Sequence, residues 1–329
     1  MFSSFAGLFQ EIKIPLIVPE WRLFIDGSSK SLKVVLLHNN TEDRKYATIP
    51  LAHSVIVKEN YESTKLLLEL IDYKRYNFEV IGDFKMIAFL MGLQGGFTKF
   101  PCHVCLWDSR DTKNHYVKKT WTPRTDMRIG KENVKWIPLI DPKKVLMPPL
   151  HIKLGLMKQF VKALEPESEA FKHLKIIFPK LSPAKITAGV FTGPDIRNIM
   201  KSGEFERLLE ELPLAAWHSF KAVVKNFLGK TKSDNYEKII ETLIENFQKM
   251  GCRMSHKLHM LHSHLDIFKE NMGRFSEEQG ERFHQDIKDF EKRYQGRYNE
   301  NMMGDYIWQQ MKIADPTKHK RSTRSTVRL

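Results

Sequence analysis

Cysteine is scarce in this sequence. Three cysteines occur among 329 residues, and two of them form the motif Cys102-x-x-Cys105. So few cysteines exclude a disulfide framework and indicate a reducing compartment. The C-x-x-C spacing suits a metal ion better than a disulfide, so the motif predicts a metal site.

Long apolar runs are also missing. A bilayer crossing needs about 20 consecutive apolar residues, and charged residues interrupt every candidate, including the one at residues 86–93. Residues 1–16 are mildly apolar, but they lack a basic N-terminal region, and Glu11 and Lys13 break the run. A secretory signal needs a basic N-terminal region followed by an unbroken apolar run, so we do not expect secretion. The interrupted apolar runs also exclude a membrane span.

Acidic residues are fewer than basic ones. The chain has 39 Asp+Glu and 53 Lys+Arg, which gives a formal net charge of +14. Because neutralised phosphates release counterions, nucleic acid is the expected partner of such a chain. A basic soluble protein without that partner is the alternative. The hydrophobic content of 42% excludes a disordered chain and predicts a sizeable core.

Strand-like and helix-like patterns alternate in the first third of the chain. Runs of apolar and β-branched residues bounded by turn residues predict strands, and apolar residues at helical spacing predict helices. The predicted order is βββαβα, with strands over residues 23–26, 32–38, 47–57 and 78–81 and helices over 62–74 and 85–93.

The rest of the chain is predicted to be mostly helical. Helical patterns follow one another from residue 148, after a polar and irregular connection over residues 109–149. The predicted organisation is a leader (1–20), the first part of an α/β core with the C-x-x-C motif (21–115), a mostly helical insertion (116–258), a histidine cluster with the closing helices (259–314), and a basic disordered tail (315–329).

Two aspartates follow strands of this predicted core. Asp26 ends the first strand and Asp83 follows the fourth. This placement within βββαβα is typical of the RNase H-like fold, in which the first and fourth strands are neighbours. Two carboxylates in one cleft repel each other, so they share a proton or bind a cation, for which Mg²⁺ is the natural choice. The alternative for each aspartate is ordinary turn chemistry.

A third carboxylate is expected from a late helix. Glu281 lies in the first turns of a helix that opens with the sequence SEEQGERFH, and Glu278 lies one turn earlier. With a third carboxylate, the site could hold two ions about 3.5–4 Å apart, the geometry for attack at a phosphodiester. The alternative is that these glutamates only stabilise the helix dipole. The pattern leaves the choice between Glu278 and Glu281 open.

A histidine cluster offers further metal ligands. His256, His259, His262 and His264 fall within nine residues of a chain that has 13 histidines. Two of them, with the two cysteines, could complete a tetrahedral Zn²⁺ site. Such a closed site would be structural and would join the first half of the chain to the last. A buried cysteine pair beside a solvated histidine-rich helix is the alternative.

The order of these motifs resembles a known family. Asp26, Asp83, the C-x-x-C at 102–105, the H-x4-H of His259 and His264, and Glu281 are similar to the catalytic core of cut-and-paste DDE transposases. The resemblance is strongest to Transib transposases and the V(D)J recombinase catalytic subunit, and hAT-like elements are more distant. The segments GDFKM and LQGGFTKFPCHVCLWDSR also resemble open reading frames of transposon-rich animal genomes.

The resemblance implies an RNase H-like core interrupted by a large all-α insertion, in a nuclear enzyme that cleaves DNA and transfers the strand. The three acidic residues would bind two Mg²⁺ or Mn²⁺ ions. The two cysteines with His259 and His264 would bind a structural Zn²⁺, with His262 as a competing ligand. His151 and Lys153 would contact DNA phosphate or the leaving group.

Two features depart from the family pattern. The first catalytic strand is expected only about twenty residues after the start, so the DNA-end-binding domain is expected to be missing or supplied by a separate protein. The fifth strand of the core is unclear, with residues 145–147 as its possible remnant. A homodimer is expected because paired DNA ends are processed together. The alternatives are a catalytically unused transposon-derived DNA-binding or scaffold protein, a zinc-stapled interaction domain, and a simple hydrolytic nuclease.

Overall fold

The structure is a computed structural model, and it describes residues 5–11, 13–29, 31–40, 48–54, 56–294, 302 and 304–306. The predicted basic tail and most of the last predicted helix lie outside these residues. None of the helices in the described part of the chain is both long enough and apolar enough to cross a membrane.

The described strands form one mixed sheet. Its five strands run in the spatial order β3-β2-β1-β4-β5. β1 is antiparallel to β2, and β2 to β3, whereas β1, β4 and β5 are parallel. β5 is the strand that the sequence left unclear. The strands are β1 (Trp21–Gly27), β2 (Leu32–His38), β3 (Ile49–Ser54), β4 (Glu79–Ile81) and β5 (Val145–Leu146).

Helices surround the sheet and fill most of the chain after β5, so the predicted mixed α/β class is confirmed. The helices are α1 (Phe5–Glu11), α2 (Tyr61–Leu70), α3 (Tyr73–Tyr76), α4 (Phe84–Leu90), α5 (Pro149–Ala163), α6 (Glu169–Ile177), α7 (Pro183–Thr187), α8 (Gly193–Ile199), α9 (Gly203–Arg207), α10 (Glu211–Asn226), α11 (Tyr236–Lys249), α12 (His256–Ser263) and α13 (Glu278–Arg293).

Local chemistry explains where several helices begin and end. The helix predicted over residues 62–74 is two helices, because Asp72 has a φ of 49° and a left-handed residue interrupts a right-handed helix. Side-chain oxygens at the N-caps accept a backbone N–H from the first turn, which stabilises the helix start. Such caps are Asn60, Asp83, Ser168, Ser182, Thr192, Ser202 and Ser255.

The chain between α4 and β5 is irregular. Arg124, whose side chain is fully buried, holds this segment together by donating to the carbonyl oxygens of Cys102 (3.0 Å), Phe100 (3.1 Å) and Glu132 (3.1 Å). Helices resume only at α5. The first residues of the predicted insertion (116–144) are therefore irregular apart from one 3-10 turn before β5, and β5, which also falls within the predicted insertion, belongs to the sheet.

The sheet separates two apolar clusters because successive side chains of a strand point to opposite faces. Leu23 and Ile25 of β1 pack into the main core, which continues into the helices after β5. Phe24, between them, packs into a second cluster with Phe283 and Ile287 of α13. α13 therefore covers the face of the sheet that is opposite to the main core.

Hydrogen bonds from Arg22, near the start of β1, hold the segment that precedes α13. The buried guanidinium of Arg22 donates to the carbonyl oxygen of His38 (3.1 Å), to Asn39 Oδ1 (2.9 Å) and to the carbonyl oxygen of Ser276 (2.8 Å). Because leaving a buried guanidinium without partners is costly, these three contacts fix where α13 begins.

The approach of α13 to the sheet depends on Gly280. A methyl group at this position would overlap the Phe24 ring and lie 2.7 Å from its Cε1 atom. We expect Gly280→Ala to lower the free energy of unfolding by about 1–3 kcal/mol, because the helix must move away from the sheet. Urea unfolding measures this change. Gly203→Ala is the matched control, since a methyl group there meets no atom within 4 Å, and equal losses in the two variants would contradict the expectation.

Candidate metal centre and acidic site

The two cysteines of the C-x-x-C motif lie in the irregular segment after α4. Cys102 and Cys105 are buried, with exposed fractions of 0% and 1%. A short bridge between Cys105 and Pro123 fixes the second cysteine, and Arg124 fixes the first through its carbonyl oxygen. The loop therefore presents two sulfur atoms from a rigid backbone.

Two histidines complete a cluster with these sulfurs. His259 Nε2 lies 3.3 Å and His264 Nε2 lies 3.2 Å from Cys105 Sγ, and Cys102 Sγ lies 3.7 Å from His264 Nε2. The four ligand atoms all lie within 4.8 Å of one another. A tetrahedral Zn²⁺ would place sulfur and nitrogen ligands roughly 3.6 Å apart. This Cys/His cluster therefore fits a metal such as zinc, as the sequence predicts.

The end of α12 selects the histidines. α12 ends at Ser263, so His264 leaves the helical path and turns back to the cysteines, whereas His262 is not among the four ligands. The His259 ring stacks on Trp107, with centroids 4.6 Å apart and planes 8° apart. His259 Nδ1 lies 3.2 Å from Ser263 Oγ. Such outer contacts orient a ligating imidazole.

The sulfur atoms already favour a cation. Burial by itself would raise the pKa of Cys102. Hydrogen bonds with Cys105 and the surrounding histidines outweigh burial, so the pKa lies well below its usual range. The pKa of Cys105 is raised, first by its hydrogen bond to Cys102 and then by burial. The lowered pKa of Cys102 favours its thiolate, which is the form that binds a metal ion.

Asp26 lies near the end of β1, and Asp83 lies just after the end of β4. Asp26 follows Phe24 by two residues and Asp83 follows Ile81 by two, and both apolar residues belong to the cluster under α13. Since β1 and β4 are parallel neighbours, their carboxylates emerge at the same edge. Asp83 also caps α4, where its Oδ1 accepts the Met86 N–H at 2.7 Å.

Glu281 of α13 reaches the same edge. Burial is the main cause that raises the pKa of Asp26 to about 7, and the charges of Glu281 and Asp83 add to it. Burial also raises the pKa of Glu281. We call Asp26, Asp83 and Glu281 the acidic site. Within the described chain the Cys/His cluster is the one group of three or more ligand side chains close enough together to hold a metal ion, so the three carboxylates do not form such a group in this structure.

His151 and Lys153 lie in the first turns of α5, beside α13. The buried Glu277 accepts the backbone N–H of His151 at 2.8 Å, and its Oε1 lies 3.1 Å from His151 Nδ1. His151 Nε2 lies 3.8 Å from Glu281 Oε1. Burial alone would lower the pKa of His151, but the hydrogen bond and charge of Glu277 raise it above its usual value.

Glu278 faces away from the aspartates. It accepts Lys153 Nζ at 2.8 Å and lies 3.4 Å from Arg197 Nη1 of α8. Of the two glutamates that the sequence left open, Glu281 is therefore the one beside Asp26 and Asp83, and Glu278 belongs to an ion-pair cluster between α5, α8 and α13.

Sequence reasoning missed two charged residues at this edge. Lys33 pairs in register with Asp26, is 5% exposed and lowers the pKa of Asp26 against the larger effects of burial and the carboxylates. The Glu59 side chain is buried, packs against Gly27 and forms an ion pair with Lys85. A lysine on the buried face of an apolar strand was a usable signal for Lys33. Nothing in the local sequence of Glu59 distinguishes it.

The Cys/His cluster predicts which substitutions remove a metal ion. We expect Cys105→Ser and His264→Asn to lose bound zinc and to lower Tm by roughly 5–10 °C, because a structural site contributes directly to folding. Elemental analysis and thermal unfolding measure both effects. His262→Asn is the matched control and keeps its zinc, and wild-type zinc content in Cys105→Ser would contradict the assignment.

The raised pKa of Asp26 predicts a pH-dependent stability. The folded-state pKa of about 7 exceeds the unfolded value of 3.8, so the folded protein holds this proton more tightly. The free energy of unfolding then falls between pH 4 and 7, by on the order of 4 kcal/mol from this group. Asp26→Asn removes that fall and is more stable than the wild type at pH 8. Urea unfolding in buffer free of Mg²⁺ tests this, with the exposed Asp234→Asn as control. A wild type as stable as Asp26→Asn at pH 8 would argue against it.

Two family models match parts of the chain. Residues 2–140 match a domain of unknown function (DUF8703), and residues 149–229 match another (DUF8704). No curated protein matches the chain. The first match contains Asp26, Asp83 and both cysteines of the cluster, and the second contains His151 and Lys153. The histidines of the cluster and Glu281 lie after both matches, so the two sites combine residues from inside and outside them.

Proposed function

We propose that this protein is a transposase-like enzyme that cleaves and transfers DNA strands at a divalent-metal site, built on an RNase H-like core. The observation that carries the proposal is the meeting of Asp26, Asp83 and Glu281 at one edge of the sheet, where burial and mutual repulsion raise the pKa of Asp26 to about 7. Such a site concentrates negative charge that a divalent cation would neutralise.

The topology supports an RNase H-like core. An order β3-β2-β1-β4-β5 with an antiparallel β1–β2–β3 unit and parallel β1, β4 and β5 agrees with the βββαβα arrangement expected from the sequence. The helices α5 to α11 fall within the range expected for the all-α insertion (116–258), and α13 packs on the sheet after it.

The side chains at the acidic site suit phosphodiester chemistry. Its three carboxylates supply hard oxygen ligands, as Mg²⁺ or Mn²⁺ requires. Such ions, when bound, supply Lewis acidity for the attack of water or a 3′-hydroxyl at phosphorus. His151, oriented by Glu277 and 3.8 Å from Glu281, would contact a phosphate oxygen there, whereas Lys153 would do so only on leaving its ion pair with Glu278.

The remaining partners follow from charge and from the Cys/His cluster. A net charge of +14 favours DNA as the partner. Zinc at the cluster would have a structural role, because its four protein ligands leave no open coordination position. A nuclear location and a homodimer belong to the same proposal.

Plasmid nicking tests the proposed enzyme. We expect Mg²⁺- or Mn²⁺-dependent nicking that falls roughly 100-fold or more in Asp26→Asn, Asp83→Asn and Glu281→Gln, since each removes a charged metal ligand. Asn at position 83 can still cap α4, so this variant keeps its fold. Glu245→Gln, an exposed change on α11, is the matched control. Glu278→Gln is expected to nick DNA, which separates the two glutamates.

The outcomes distinguish the rival functions. Salt-sensitive DNA binding without nicking in any sample would overturn the enzyme in favour of a DNA-binding protein. Nicking without joining of a 3′-hydroxyl end to target DNA would indicate a hydrolytic nuclease. Zinc content and Tm are measured for every variant, so that a loss of activity is not mistaken for a loss of fold.

A further inference from the structure

Lys257 of α12 lies next to the Cys/His cluster in sequence, and its side chain extends toward the acidic site. Lys257 lies two residues before His259, and its side chain crosses α5 at Gly155. A methyl group on Gly155 would overlap this side chain, lying 3.1 Å from its Cβ and closer still to its Cδ. On the other side, the ammonium lies 5.7 Å from the centroid of the Phe84 ring. The Lys257 side chain therefore runs in a slot between α5 and α4.

The slot ends among the acidic residues. The Phe84 ring beneath the ammonium belongs to the residue that follows Asp83, and the charges of Asp83, Lys158 and Glu277 all act on Lys257. No carboxylate of the described chain forms an ion pair with it. A mostly buried ammonium without an anion is costly. An anionic ligand bound at Lys257 would therefore remove this cost.

Two other lysines near the acidic site are already paired. Lys85 forms an ion pair with Glu59, and Lys153 forms one with Glu278. Lys257 differs from them because its stem is fixed by Gly155 while its charge is left unpaired. A fixed charge loses little conformational entropy when it binds a ligand.

We propose that Lys257 is a phosphate-binding residue of the acidic site, whose ligand is the phosphodiester of a DNA strand. The inference rests on the proposed function, since it takes its ligand from the strand-cleavage reaction. A phosphate bridging to the carboxylates through metal ions would lie beside Asp83 and so within reach of the ammonium. The Cys/His cluster then has a second consequence, because it holds the helix that presents Lys257.

DNA binding tests the inference. Binding of a fluorescent duplex is measured by anisotropy at several salt concentrations, with Ca²⁺ in place of Mg²⁺. We expect Lys257→Met, which keeps most of the stem volume, to weaken binding roughly tenfold and to reduce the slope of log K against log salt by about 1. Gly155→Ala is expected to weaken binding in the same direction, because it displaces the stem and keeps the charge.

A matched control separates this role from general surface charge. Lys249→Met removes an exposed lysine from the neighbouring helix α11, and we expect less than a twofold loss of affinity. Zinc content and Tm of all variants show whether the fold persists. Should Lys257→Met misfold, the Gly155→Ala variant alone still tests the inference.

The same samples are assayed for nicking, so that the two proposals can fail separately. If the wild type nicks DNA and Lys257→Met binds and nicks equally well, the role of Lys257 is wrong and the enzyme stands. If the wild type does not nick but Lys257→Met loses affinity and salt slope, the enzyme is wrong and the phosphate-binding role stands. A wild type that does not bind DNA overturns both.

Discussion

The fold depends on one long-range junction, the Cys/His cluster. Its cysteines lie in an irregular loop, and its histidines lie 154 to 162 residues further along the chain. Ordering so long a loop costs conformational entropy, which metal binding by four ligands, three of them buried, can offset. The junction fixes α12 beside α5 and directs the chain back to the sheet, where α13 closes the second face. The position of Glu281 therefore depends on contacts made well before it in the chain.

At the acidic site, burial concentrates charge that water would otherwise screen. Asp26 and Glu281 have raised pKa values, with burial as the main cause in both. Lys33 lies in register beside Asp26 and offsets part of the repulsion. The cost in stability is typical of a site arranged for a ligand rather than for folding alone. The two sites thus have opposite effects on stability. The Cys/His cluster links distant segments of the chain, whereas the buried carboxylates of the acidic site lower the free energy of unfolding.

The sequence predicted the sheet well because strand patterns are local. Alternation along β1 places Asp26 on the face of Phe24, and that face could be assigned before any contact was known. β5 was unclear because a strand of two residues is too short to show an alternation of apolar and polar side chains. The break after α2 depends on the left-handed Asp72, which the helical pattern around it conceals. The metal ligands were recognisable from the density of cysteine and histidine, but the choice of His264 over His262 required the end of α12.

The sequence by itself determined the composition of each site: the scarce cysteines, the histidine cluster, and the aspartates that follow two strands. These features are encoded in short stretches whose chemistry and spacing act locally. Only the tertiary structure decided which distant groups meet. It placed Glu281 rather than Glu278 beside the aspartates, buried Glu277 against His151, and directed Lys257 through the slot at Gly155. Such contacts arise from packing between elements far apart in the chain, and no local pattern specifies them.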